Sequence, residues 1–498
     1  MTFRFISPAL LACLLASLLA GCATAGRDYQ GPPAMPRQAA FARGDGAGDA
    51  VGGAVLAHWW TALGDTKLDG LVDRALAANP DLAAARARVR QARASLRSER
   101  ANRLPAGTAT ALAAHARLPP IGGDSGAQGE GAASLPIPSS LNLYNIGFDA
   151  SWEIDLFGGQ RRATEAAGAV AEAADAKLAD AQLSLVAEVA QAYINLRATQ
   201  AQMALSDAAI ARQQGMLDLT ARRVQGGTAS QLDLVRLQNQ LESTRADAEP
   251  LVAQRDSYRD ALAVLVGQAP GTLDDELGAS ARNAAAVPLP PAEVAVGDPA
   301  AMLQRRPDIR AAERTLAARN AQIGQAQAAR FPSLKLFGLI GIGGTSPRDL
   351  THLDDFTAIA APQLSWNVLD FGRIAANIEQ AEGVRDEAEA QYRKAVLAAL
   401  RDAEDALSRF RQRRATLATI ARVKAGTDRA ATLTAARQRA GTASMIDVLD
   451  TERQQFAAEQ NLAQAQAALT GDFIALQKAL GLGFAAAPDA AQHADSGR

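Results

Sequence analysis

The sequence predicts a mainly α-helical protein with a membrane β-barrel part. Each chain would supply long coiled-coil helices and four β-strands, and three chains would close a twelve-strand barrel. Three observations carry this prediction. The chain repeats itself over a long range without a gap. Proline is missing from Ser151 to Glu249 and again from Gln363 to Ala487, and both stretches are rich in alanine. Beyond the N-terminal leader no stretch reads as a transmembrane helix, so any span must be built from strands.

The repeat is the strongest of the three. Ser151 to Gly267 lies over Ser365 to Gly481, with Trp152 on Trp366 at a shift of 214 that never slips. Phe157-Gly158 falls on Phe371-Gly372, Gly227-Thr228-Ala229-Ser230 on Gly441-Thr442-Ala443-Ser444, and Asp233 on Asp447. One structural unit is therefore built twice. A second match, Asn79-Pro80-Asp81-Leu82 with Arg306-Pro307-Asp308-Ile309, sits at a shift of 227, as does Leu104-Pro105 with Phe331-Pro332. The shift falls from 227 to 214 between the two blocks, so the first half carries 13 more residues in its strand region.

Composition narrows the function classes. Hydrophobic residues make up 48% of the 498, yet aromatics only 4%, and the difference is largely alanine, the best helix former. Lys and Arg total 51 against 53 Asp and Glu, so no basic face invites nucleic acid. Cys13 and Cys22 both lie near the N-terminus and cannot staple the body. His58, His115, His352 and His493 are scattered and form no helical zinc motif. No phosphate-binding glycine loop or nucleophile motif supports an enzyme, and no cofactor or metal site is expected.

Taken in order, the elements begin with an export leader over 1–21. Arg4 supplies a short positive region, and Phe5 to Ala20 an apolar run. It ends Leu19-Ala20-Gly21-Cys22, which resembles a bacterial lipobox with Cys22 as the lipidated residue; an ordinary cleavage site with a chance cysteine is the alternative. Ala23 stands where an Asp would signal inner-membrane retention, so the resemblance points to the outer membrane. Residues 22–55 read as an extended tether without periodicity. The first repeat spans 56–278. A helix opens at His58-Trp59-Trp60, carries Leu68, Leu71, Val72 and Leu76 at helical spacing, and ends at Asn79-Pro80. Strands follow at 107–118 and 143–154, around a Gly/Pro/Ser-rich loop from Pro119 to Ser140. A helical hairpin then runs over about 159–267. The second repeat spans 279–483, with strands over about 333–368 and a hairpin over about 373–481. There Ser333 to Leu339 partly alternates, Ile342-Gly343-Gly344 and Pro347 mark a turn or loop, and Phe356 to Trp366 returns as a strand. Residues 484–498 read as a flexible tail.

The hairpin helices need partners along their whole length. The first would hold roughly 65 residues and reach on the order of 100 Å at 1.5 Å per residue. In the second copy Leu462, Ala465, Leu469, Phe473, Leu476 and Leu480 step by three and four, close to a heptad seam. Four strands cannot close a barrel, since about eight is the practical minimum. An open edge is not tolerated in lipid. Oligomerisation must close the sheet, and a trimer supplies twelve strands. The long helices would then ring a tube.

Several landmarks carry a family resemblance from Trp59 to about Gly483. They are Trp59-Trp60, Leu68 with Leu71-Val72, Asn79-Pro80-Asp81-Leu82, Trp152 through Gly158, Trp366 with Asp370-Phe371-Gly372, and Gly441-Thr442 with Asp447-Val448-Leu449-Asp450. In order, spacing and duplication the chain resembles the TolC-like outer membrane efflux proteins, in their NodT-type lipoprotein branch. The resemblance implies a homotrimeric exit duct in the outer membrane lipid, without catalysis. It also implies a periplasmic adaptor (membrane fusion) protein and an inner-membrane pump of the RND type as partners.

The same resemblance assigns roles to residues. Asp447 and Asp450 would form acidic rings at the periplasmic aperture, with Ile446 as an apolar constriction. For Asp447, a capping box with Ser444 is an equal alternative. The first-copy counterpart of Asp450 is Arg236, so the two hairpins are not equivalent. Gln438 and Arg439 occupy the stretch where the family carries an aromatic residue, which places a tyrosine latch in doubt. The tips Gly227, Thr228, Ser230 and Asp233, and Gly441, Thr442 and Ser444, are candidate adaptor contacts, or plain turns, or both. Trp152, Phe157, Trp366 and Phe371 read either as interfacial aromatics at a barrel rim or as packing at a strand-to-helix bend. Rival functions are a protein-secretion or metal-ion duct, and a lipid-tethered periplasmic coiled-coil scaffold without a pore. No Met/His-rich tract favours soft metals.

Overall fold

The computed structural model describes residues 24–34, 40–44, 58–117, 140–278, 287–352, 354 and 356–483. The leader, Cys22, most of the Pro119–Ser140 loop and the 484–498 tail lie outside the described residues.

A 3-10 turn over Trp59–Leu63 leads into α1 (Thr66–Ala78) and α2 (Pro80–Ala101). Strands β1 (Ala106–Arg117) and β2 (Ser140–Ile154) follow, then the hairpin α3 (Gly159–Gln225) and α4 (Gln231–Leu265). Short helices α5 (Asp274–Gly278) and α6 (Pro299–Arg305) precede α7 (Pro307–Ala328). The second half then repeats the plan with β3 (Ser333–Gly344), β4 (Phe356–Ser365), α8 (Arg373–Arg439) and α9 (Met445–Ala479). Helices α3 and α8 are each 67 residues long, and α4 and α9 each 35. None of the described helices is apolar enough to cross a membrane.

The chain divides into two compact units, each drawing on both halves of the sequence. One unit holds the four-stranded sheet, ordered β1-β2-β3-β4 and antiparallel throughout, with β1 and β4 as its edges. Ala106 faces Ser151, and Ser333 faces Ser365, so the two hairpins share one register through the sequence shifts 227 and 214. Strand β2 starts at Ser140, earlier than alternation alone indicates, because Ser140 to Asn142 pair with Arg117 to His115. Asn142 and His115 also meet through their side chains at 2.6 Å.

One expectation is corrected in this sheet. Ile342-Gly343-Gly344 is not a turn. It continues β3, and Tyr144 to Ile146 of β2 pair with Gly344 to Ile342. The glycines answer to close approach, since a Cβ on Gly343 would strike the Tyr144 carbonyl oxygen.

The described residues of the 22–55 segment, 24–34 and 40–44, make contacts that its composition does not announce. In the sheet unit, Ala25 N–H donates to the Phe157 carbonyl at 2.8 Å. Arg162 on α3 donates to the carbonyls of Ala25 and Gly26 at 3.0 and 2.9 Å, and pairs with Asp28 at 2.8 Å. In the helical unit, Phe41 is buried, and the amides of Ala42 and Arg43 donate to Glu404 at 2.7 and 2.9 Å. Nothing in the local sequence around Arg162 or Glu404 signalled this.

The second unit is built around Trp59, which meets Phe473 edge-on at 5.8 Å, with Leu68, Leu71, Val72, Tyr193 and Leu262 in the same core. The seam residues Ala465, Leu469, Phe473, Leu476 and Leu480 are all buried. Asp65 caps α1 and accepts the Tyr193 hydroxyl at 2.7 Å. The halves also solve one junction in two ways. Asn79 caps α2 and donates to the Leu265 carbonyl at 2.9 Å; Arg306 pairs with Asp308 and donates to the Ala479 carbonyl at 2.9 Å. Both residues tie a Pro-Asp helix to the end of its hairpin.

Candidate functional site

The two hairpin tips are the same turn built twice. Helix α3 closes with Gly227 N–H on the Val224 carbonyl at 3.0 Å and Thr228 N–H on the Arg223 carbonyl at 2.8 Å. Helix α8 closes with Gly441 N–H on Gln438 at 3.0 Å and Thr442 N–H on Arg437 at 2.9 Å. This is the Schellman arrangement, in which the last carbonyls are satisfied by a residue in the left-handed region. Gly227 and Gly441 fill that place at φ 72° and 75°, and a Cβ on either would meet open space. Glycine is there for its backbone alone. The Thr228 and Thr442 hydroxyls add a bond to the same two carbonyls, each at 3.1 Å.

The tips differ in how the next helix starts. Ser230 accepts from Leu232 N–H at 3.1 Å, and Asp233 makes no capping box with it. Ser444 and Asp447 do form one. Asp447 N–H donates to Ser444 Oγ at 3.2 Å, while Asp447 Oδ2 accepts from Ser444 N–H and Oγ, both at 2.8 Å. The Ser444 backbone N–H, joined by its hydroxyl, holds the Asp447 carboxyl below the usual carboxylate range. Asp450 sits nearly one turn further along α9. It pairs with Arg453 at 2.7 Å and accepts from Gln454 at 2.8 Å, so both partners come from its own helix. Ile446 is half exposed. Glu452, which the sequence did not single out, is half-buried; burial pushes its carboxyl up, and Arg212 opposes the shift.

The strand-to-helix bends show the repeat again. The Trp152 indole N–H donates to the Arg103 carbonyl at 2.9 Å, and that of Trp366 donates to Arg330 at 3.0 Å. Both carbonyls lie just past a helix end, where backbone acceptors lack partners. Phe157 stacks on Phe331 with ring centres 4.6 Å apart, whereas Phe371 is fully exposed. Among the described residues no cluster of His, Cys, Asp or Glu could hold a metal ion.

Comparison with known proteins matches this architecture. The family model described as "Outer membrane efflux protein" covers residues 71–268 and 299–482. Nodulation protein T of Rhizobium leguminosarum bv. viciae is 30% identical over 477 residues, 96% of this chain and 94% of the relative. Outer membrane protein OprJ of Pseudomonas aeruginosa is 31% identical over 425 residues, 84% of this chain and 85% of that protein. The solved outer-membrane channel OprN superposes with a TM-score of 0.81 at 32% identity, covering 92% of this chain and 99% of its own. OprJ is thus described as an outer membrane protein and OprN as an outer-membrane channel, and neither as an enzyme.

Proposed function

The chain belongs to the outer membrane efflux protein family, and from that premise we propose that it is the exit duct of a tripartite efflux system. Its place is the outer membrane. Three copies would close twelve strands into a barrel. Small toxic compounds would reach it from an inner-membrane pump, of the RND type, through a periplasmic adaptor. The duct itself moves nothing uphill; energy comes from the pump.

The observation that carries this reading is the four-stranded sheet with two free edges, β1 and β4. Such a sheet has no stable place in lipid until its edges are paired. The long hairpins continue from the same strands and end in exposed Schellman turns, a form suited to docking.

The finer roles follow from position. Cys22 would carry lipid after removal of 1–21, with 22–55 as the anchor segment. Two acyl chains or more give stable anchoring at about 0.8 kcal/mol per buried methylene. The repeats 56–278 and 279–483 supply one strand pair and one hairpin each, and 484–498 forms a tail. Gly227, Thr228, Ser230, Asp233, Gly441, Thr442 and Ser444 would meet the adaptor. Ile446, Asp447 and Asp450 would line the aperture. Trp152, Phe157, Trp366 and Phe371 would mark the barrel rim.

The test is accumulation in living cells. Deleting the gene should raise the intracellular level of at least some members of a panel of amphipathic drugs and dyes, and restoring it should reverse the effect. Unchanged accumulation across the panel would contradict the reading.

A further inference from the structure

A near-neutral composition conceals one strongly basic element. Helix α2 carries Arg86, Arg88, Arg90, Arg93, Arg97 and Arg100 against Asp81 and Glu99, and Arg103 follows just past its end. Arg93, Arg97 and Arg100 step by four and three, so they share one helix face. With Arg103, all of them are exposed. At the repeat shift of 227 these four positions answer to Asn320, Gly324, Gln327 and Arg330. Three of the four are uncharged on α7, so the basic stripe belongs to the first repeat alone.

On α7 this face is occupied. Asn320 donates to the Arg27 carbonyl at 3.2 Å, and a Cβ on Gly26 would strike the Gly324 backbone and come within 3.4 Å of Gln327. The N-terminal segment therefore lies along it. That segment follows Cys22, and a lipid-bearing residue 22 can reach the membrane only around the outside of a duct wall. The face thus belongs to the outer side, and so does its counterpart on α2. There Arg97, Arg100 and Arg103 have no ion pair among the described residues. Nearby acids are already engaged: Glu99 accepts from Asn102 at 3.2 Å, Glu153 pairs with Lys335 at 3.3 Å, and Asp155 accepts from Arg161 N–H at 2.8 Å.

The stripe ends at the membrane strands. Arg103 stands three residues before β1, and its carbonyl takes the Trp152 indole N–H at 2.9 Å. Arg100 and Arg97 lie about 4.5 and 9 Å back along α2 at 1.5 Å per residue. The headgroup layer of one leaflet is roughly 5–8 Å deep, so the three guanidinium groups span it. Resting on the duct and anchor readings, we infer that Arg97, Arg100 and Arg103 hold the phosphate of an anionic phospholipid in the periplasmic leaflet of the outer membrane. Guanidinium forks match phosphate oxygens in pairs, and basic clusters beside a membrane span select anionic lipid. A zwitterionic lipid brings its own ammonium and gains far less from the same site.

Lipid retained by the full chain tests it. The protein is purified from membranes in mild detergent and offered equal amounts of phosphatidylglycerol and phosphatidylethanolamine, and native mass spectrometry counts each lipid on the particle. Phosphatidylglycerol should be kept in about tenfold excess or more, and in smaller excess as salt rises. Arg100→Gln alone should cut the excess about fivefold, the effect of one basic residue near a lipid surface. Arg97→Gln/Arg100→Gln/Arg103→Gln should bring it to parity, while Arg88→Gln/Arg90→Gln, further from the strands, should leave it unchanged. The single variant decides the matter where the triple variant does not fold. Parity in the unsubstituted chain, an excess that survives Arg100→Gln, or displacement of the lipid by millimolar inorganic phosphate overturns the lipid site. The same spectra read the other premises separately: a particle of one chain overturns the duct reading, and a Cys22 without acyl chains overturns the anchor reading.

Discussion

At the residue scale, the second tip is governed by one serine and one aspartate. The Asp447 carboxyl lies below its ordinary range because the Ser444 backbone N–H and hydroxyl donate to it. A depressed carboxyl stabilises the fold at pH above the unfolded carboxylate range, and the contribution is lost as pH falls through the folded value. Ser444→Ala removes the hydroxyl, so NMR titration should find the Asp447 pKa moved up toward the ordinary value; an unmoved pKa would mean the cap is not its cause. Glu452 has the opposite sign. Burial raises its carboxyl, so charging it opposes folding as pH rises through the folded value. Glu452→Gln should raise the melting temperature at neutral pH, and the gain should vanish below the ordinary carboxylate range. The capping box was legible from Ser444-x-x-Asp447. The Glu452 environment was not, because burial, its main cause, and the opposing Arg212 on a distant helix are both set by packing rather than by local sequence.

At the element scale, the tips answer to backbone geometry. Gly227→Ala or Gly441→Ala keeps every neighbour clear but forces a side chain into the left-handed region, at a cost of roughly 1–2 kcal/mol. Chemical denaturation should show that loss for each variant, and no loss would mean the turn relaxes. The N-terminal segment depends instead on Arg162, which holds two carbonyls and a carboxylate. Arg162→Gln should raise hydrogen exchange across residues 24–28 while leaving α9 protected; unchanged exchange would show that Phe157 and packing suffice. The helices and their repeat were legible because 3.6-residue periodicity and missing proline are local signals. Strand extents were harder to read. Gly343 looked like a turn residue, since its reason for being glycine is the backbone of Tyr144, far away in sequence. The contacts of Ala25, Gly26, Ala42 and Arg43 were invisible for the same reason: Glu404 and Arg162, distant in sequence, satisfy their amides and carbonyls.

At the scale of the whole molecule, one fact organises the rest: the chain is two repeats whose mutual contact is made once internally and left open once. Phe157 finds Phe331 within the chain, while Phe371 finds nothing. Sequence alone could count four strands and conclude that one chain is too few. It could not show which surfaces stay open, because that required both the ladder registers and the exposure of the second bend. Closure by further copies is therefore the central claim, and particle mass tests it most directly. Protein extracted from membranes in mild detergent should have a native protein mass near three times that of the chain, which is 51.8 kDa before loss of its leader. A particle with the mass of one chain would contradict the account, leaving β1 and β4 unpaired and the duct without a wall.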